Sequence, residues 1–125
     1  MKGENIKDRT KGFAIRILKM VSALPGDYTT QVISHQIARS ATSVGANYRA
    51  ACRSKSRKDF INKLKIVEEE LDETGYWLEV IGESNIFPID KISPLIRESE
   101  ELLAIIVKSI HTARANEKSG NMRMT

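Results

Sequence analysis

The chain has 125 residues, 41% hydrophobic and 29% charged, with a formal charge of +4. That length fits one domain burying about two thirds of its unfolded surface, and the mild basic surplus favours an anionic partner. One cysteine, Cys52, excludes an internal disulfide framework and a cysteine-based zinc site, and no run approaches the ~20 apolar residues of a membrane span.

The first apolar series, Phe13, Ile17, Met20, Val21 and Leu24, recurs three and four residues apart, which is one face of a helix. Pro25-Gly26 ends it, because proline cannot continue the hydrogen-bond ladder and glycine accepts unusual turn angles. Asp27 or Thr29 can cap a second helix running to about Ser54, with Val32 or Ile33, Ile37, Ala41, Val44 and Tyr48 buried. Ser56-Arg57-Lys58-Asp59 ahead of Phe60 has the spacing of a capping box: the serine oxygen takes a free backbone N–H and the carboxylate reaches back.

A third helix then carries Phe60, Leu64, Val67, Leu71, Thr74, Leu78 and Ile81, a heptad-like seam suited to near-parallel packing. Gly82 and Asn85 end it. Past Pro88, a cap at Asp90 or Ser93 opens a fourth helix with Ile92, Ile96, Ser99, Leu103, Ile106, Ile110 and Ala113 inward. His111, Arg114 and Lys118 near its end suit the negative pole of the helix dipole. Long helices, short connections and no competing strand pattern predict an all-α fold. It is an antiparallel up-down-up-down four-helix bundle over residues 1–118, with 119–125 as a flexible tail.

Ile15, Leu18, Ile66, Trp77, Val80, Leu95, Leu102 and Ile105 fall off these inner stripes. They either widen the core face or form a subunit interface, and a homo-oligomer is expected. The opening MKGENIKDRTKGF has no apolar core of a signal peptide, so with the lone thiol a soluble cytoplasmic protein without a membrane partner is expected.

Chemistry is harder to find. A di-iron bundle needs inward glutamates and Glu-x-x-His on two helices. Here Val32 stands three residues before His35 and Lys108 before His111, so neither a metal nor a cofactor is expected. Glu68-Glu69-Glu70-Leu71-Asp72-Glu73 reads as a solvated helix face, with Glu68 or Asp72 as candidates to meet helix two. Cys52 has no histidine on its own helical face, and no glycine-rich phosphate loop is present, so enzymatic activity is not expected. Ala38, Ala41 and Gly45 share a face of helix two, and Gly75 lies inside helix three, which predicts close backbone approach between them. Asn47, in mid-helix, needs a hydrogen-bond partner.

The functional case rests on cations. Arg49 and Arg53 are one turn apart, Lys55, Arg57 and Lys58 crowd the next corner, and Lys63 and Lys65 extend the charge. Asp59 is the one acid nearby, and its cap occupies it. Such a patch neutralises phosphates without reading bases, and arginine forks onto phosphate more specifically than lysine does. Tyr48 is the sole aromatic placed to stack on a base. Arg49, Arg53, Lys55, Arg57 and Lys58 are the candidate nucleic-acid-binding residues.

Gln36-Ile37-Ala38-Arg39-Ser40-Ala41, Ser43-Val44-Gly45-Ala46-Asn47 and Lys55-Ser56-Arg57-Lys58-Asp59-Phe60 together resemble the bacterial four-helix-bundle family encoded in intervening sequences of 23S ribosomal RNA genes. Glu69-Glu70-Leu71-Asp72-Glu73 and Tyr76-Trp77-Leu78-Glu79 extend the likeness over nearly the whole chain. The resemblance implies a left-handed bundle assembling as a ring-like homopentamer. It also points to a related branch, the basic accessory protein of diversity-generating retroelements, which binds nucleic acid and a reverse transcriptase. The chain departs from the family's commonest wording at Asn47-Tyr48-Arg49-Ala50-Ala51, where Arg49 makes the corner more basic. The expected function is that of a non-enzymatic homo-oligomer, a pentamer by resemblance, that binds RNA or DNA through the basic patch. The alternative is a protein-interaction adaptor, such as a reverse-transcriptase accessory protein.

Overall fold

The structure, a computed structural model, describes residues 3–118; the tail expected at 119–125 lies outside them. Four helices follow one another: α1 (Gly3–Ser22), α2 (Tyr28–Cys52), α3 (Arg57–Glu83) and α4 (Ile89–Lys118). They form an antiparallel all-α bundle in which α1 packs on α2 and α4, and α3 on α2 and α4. The α1–α4 seam is the sparsest of the four. This order brings the end of α2, the start of α3 and the end of α4 to one pole.

The boundaries have local causes. Asp27, in extended conformation, caps α2 by accepting from the Thr30 N–H at 3.2 Å. Ser56 caps α3 by accepting from the Asp59 N–H at 3.0 Å, while the Asp59 carboxylate lies 3.7 Å from Lys63 Nζ. The C-terminus of α3 closes in a Schellman motif: Ile86 N–H donates to Ile81 O at 3.1 Å and Asn85 N–H to Gly82 O at 3.2 Å. That motif requires a left-handed residue, and Asn85 supplies it at φ 63°. Helix α4 begins one residue after Pro88, so Asp90 stands in its first turn. Ser93 is inside α4, its hydroxyl donating to Ile89 O at 2.8 Å. Pro94 lies in the second turn, where its missing N–H leaves the Asp90 carbonyl without its usual donor.

The core follows the expected stripes on α1 to α3, with Phe13, Ile17, Ile37, Val44, Leu64, Leu71, Leu78 and Ile81 almost fully buried. Ile61 is more deeply buried than Phe60, and Ile33 more than Val32. On α4 the inward phase differs from the expectation. Leu95 and Leu102 are buried, whereas Ile96 and Leu103 are half-buried, because the inward face centres on Ile92, Ser99 and Ile106 and extends to the flank beside Glu98 and Glu101, which meet Arg9 of α1. Trp77, Val80 and Ile105 are half-buried, and Ile15, Leu18 and Ile66 stay exposed.

Two further expectations are corrected. Gly45 and Gly75 do not face one another. A Cβ on Gly45 would meet Thr10 of α1 at 3.5 Å, and one on Gly75 would meet Ser99 of α4 at 3.4 Å, so each serves a different seam. What α2 and α3 share instead is a buried hydroxyl pair, Ser40 and Thr74, 2.8 Å apart. Part of the acidic run is also not merely solvated. Arg39 of α2 donates to Glu70 at 3.2 Å and to Glu73, which also accepts from Trp77 Nε1 at 3.0 Å. The carboxylates that meet α2 are therefore Glu70 and Glu73, not Glu68 or Asp72. Asn47 finds its partner within its own helix, donating to Ser43 O at 3.0 Å and Ser43 Oγ at 2.9 Å.

Candidate nucleic-acid interface

Arg49 occupies the last turn of α2, Arg53 is its C-cap, Lys55 lies in the connection and Lys58 in the first turn of α3. All four are exposed. Arg57 is separated from them: at 8% exposure it turns inward, lining a groove of about 310 Å³ between α3 and α4 with Phe60, Lys108 and Asn116. The connecting turn reverses the chain within a few residues, so neighbours in sequence leave on opposite sides.

Tyr48 does not offer a stacking surface. Its ring is 8% exposed within the core, and burial, assisted by a hydrogen bond with Cys52, pushes its hydroxyl pKa up to about 12. Cys52 itself is exposed.

Local electrostatics divide the cations further. Arg49 and Arg53 face the negative pole of α2, where a cation gains about 0.3–1 kcal/mol. They therefore have a structural reason to be there. Lys55 and Lys58 stand at the positive pole of α3, where the same effect opposes them. Lys55 stands between that pole and the negative end of α2, so Lys58 is the cation that the helix dipoles favour least, which gives it the greater functional weight.

Composition along α3 continues the contrast. Residues 49–65 carry Arg49, Arg53, Lys55, Arg57, Lys58, Lys63 and Lys65 against Asp59 alone. Between Glu68 and Asp90 the chain has no lysine or arginine. Along the second half of α2 and the length of α3 the cations gather at one pole, and Lys108, Arg114 and Lys118 of α4 join them there.

Two further cations escaped sequence reasoning. Lys7 and Lys11 of α1 line a cleft of about 390 Å³ against Arg49 of α2, floored by Ala14, Gly45 and Ala46. Their spacing of one turn on an amphipathic helix was the available signal. Arg9, between them in sequence, is committed elsewhere. It forks onto Glu98 of α4 at 2.7 and 3.1 Å and reaches Glu101 at 3.0 Å. Among the described residues no cluster of histidine, cysteine and carboxylates could hold a metal ion, and no helix is long and apolar enough to cross a membrane.

The fold and this pole define an all-α helical bundle with one basic end. Residues 4–108 match the model of the 23S rRNA-intervening sequence protein family, and the chain belongs to that family. A solved structure from Bacteroides thetaiotaomicron VPI-5482, a protein with unknown function from the S23 ribosomal protein family, is similar to it. The two share 37% identity over 89% of this chain and 99% of that one, with a TM-score of 0.82. No match is found among curated proteins.

Proposed function

We propose that the chain is a non-enzymatic, homo-oligomeric bundle, pentameric by family resemblance, that binds RNA or DNA through its basic pole. The observation that carries this reading is the set of exposed cations Arg49, Arg53, Lys55 and Lys58, with Asp59, the sole acid among them, beside Lys63. Lys58 stands where the dipole of α3 opposes it, which a solvated corner does not require. Arg57 contributes from within, on the α3–α4 side of the same corner. The mechanism is phosphate neutralisation with counterion release, multiplied when subunits repeat the patch. Base identity is not read, since the exposed contacts are charged side chains suited to phosphate.

The test is binding of single-stranded RNA and of DNA across a salt series, for wild type and Arg53→Ala/Lys55→Ala/Lys58→Ala. Wild-type affinity is expected to fall steeply with salt. Losing three phosphate contacts should flatten the log–log slope by about 2 to 3, at roughly 0.7 to 0.9 per contact. Absence of binding at low salt would falsify the reading and favour a protein-interaction adaptor.

A further inference from the structure

The two inter-helix arginines of the bundle body are neutralised by carboxylates: Arg9 by Glu98 and Glu101, Arg39 by Glu70 and Glu73. The α1–α2 cleft differs. Lys7, Lys11 and Arg49 line it from two helices, and none of the three makes an ion pair among the described residues. Among the described residues, Asp8 is the sole carboxylate of the lining. Like charges gathered on one concave surface repel each other, and a bound anion relieves that repulsion.

We propose that this cleft binds the phosphate monoester of a single nucleotide, either free or at the end of a strand. Its volume of about 390 Å³ falls at the small end of the ~300–1,000 Å³ range of small-molecule sites. A monoester carries about −1.5 to −2 at neutral pH, against one charge for an internal phosphate. The doubly charged group is the better match to three cations. Arg49 can fork onto two phosphate oxygens while Lys7 and Lys11 act as point charges from the opposite wall. The floor of Ala14, Gly45 and Ala46 leaves room beside the phosphate for the rest of the nucleotide.

The choice of a nucleotide as the ligand rests on the nucleic-acid reading; the convergence of charge on the cleft does not. The test compares short oligonucleotides bearing a terminal phosphate, at the 5′ or the 3′ end, with hydroxyl-ended ones, and adds AMP alone. Each is measured against wild type, Lys7→Gln/Lys11→Gln and Ala46→Leu. Ala46 is exposed, so leucine there fills the cleft without touching the core. The expected result is about tenfold tighter binding of the phosphorylated strand at low salt. Both variants should abolish that margin, and Ala46→Leu, which removes no charge, should leave hydroxyl-ended strands bound as before. Equal binding of the two strand types with no binding of AMP overturns the cleft site and leaves the nucleic-acid reading standing. A phosphate preference that neither variant reduces also overturns it. AMP binding sensitive to both variants, with no strand bound, keeps the cleft and removes the nucleic-acid reading. Failure of every ligand removes both.

Discussion

Tyr48 shows how one side chain near the basic pole acts on stability and not on binding. Burial raises its hydroxyl from the ordinary 10.0 to about 12. The folded state thus favours the neutral phenol, a contribution fully present below pH 10 and lost as pH rises through 12. Tyr48→Phe is expected to shrink the alkaline loss of stability in chemical denaturation while leaving affinity for nucleic acid at neutral pH unchanged. An unaltered alkaline limb would show that the hydroxyl is solvated. The same residue marks a limit of sequence reading. Its place on the inner stripe of α2 was legible from spacing, and that placement excludes the stacking role its type suggested.

Among the elements, what was local in sequence was legible and what was distant was not. The caps at Asp27 and Ser56 need only a hydroxyl or carboxylate three residues ahead of a free N–H, so the pattern is written within four residues. The phase of α4 is different. Leu95-Ile96, Leu102-Leu103 and Ile105-Ile106 are apolar pairs, and either member fits a 3.6 period. Only packing against α1 and α3 decides between them. The Arg39 clamp joins residues 31 and 34 positions apart, which no periodicity encodes. It has a signature in acid. Arg39 first, and Trp77 second, hold the Glu73 carboxyl below its ordinary value. Its contribution is therefore present above the ordinary carboxylate range and lost as pH falls through the lowered value. Glu73→Gln should lose that increment at pH 7 and differ less from wild type at pH 3. The pair is partly exposed, so the difference is at most about 1 kcal/mol in urea unfolding. Equal deficits at the two pH values would count against the clamp.

For the molecule as a whole, the segregation of charge and the leftover apolar surface bear on assembly. Ile15 and Leu18 on α1 and Ile66 on α3 remain exposed after the core is complete. Single exposed apolar residues are common on protein surfaces, so their meaning has to be measured. If they lie between subunits, Ile15→Glu/Leu18→Glu should lower the light-scattering mass to that of one chain. A wild-type mass of one chain would end the oligomer proposal outright. The fold was readable because four long amphipathic stripes admit few arrangements. The candidate site was half readable: a cluster in sequence revealed the charge, but only the folded chain turns Arg57 inward and brings Lys7 and Lys11 opposite Arg49.

The fork of Arg9 onto Glu98 and Glu101 spans the sparsest seam of the bundle, and so it bears on how long α1 stays docked. Helices held by few neighbours open first in native-state fluctuations. Amide hydrogens of α1 should then exchange faster than those of α3, and Arg9→Ala should speed them without changing exchange in α3. Because α1 is also one wall of the cleft, an anion seated there would slow that exchange. Uniform protection across the four helices would instead show that the bundle opens only as one cooperative unit.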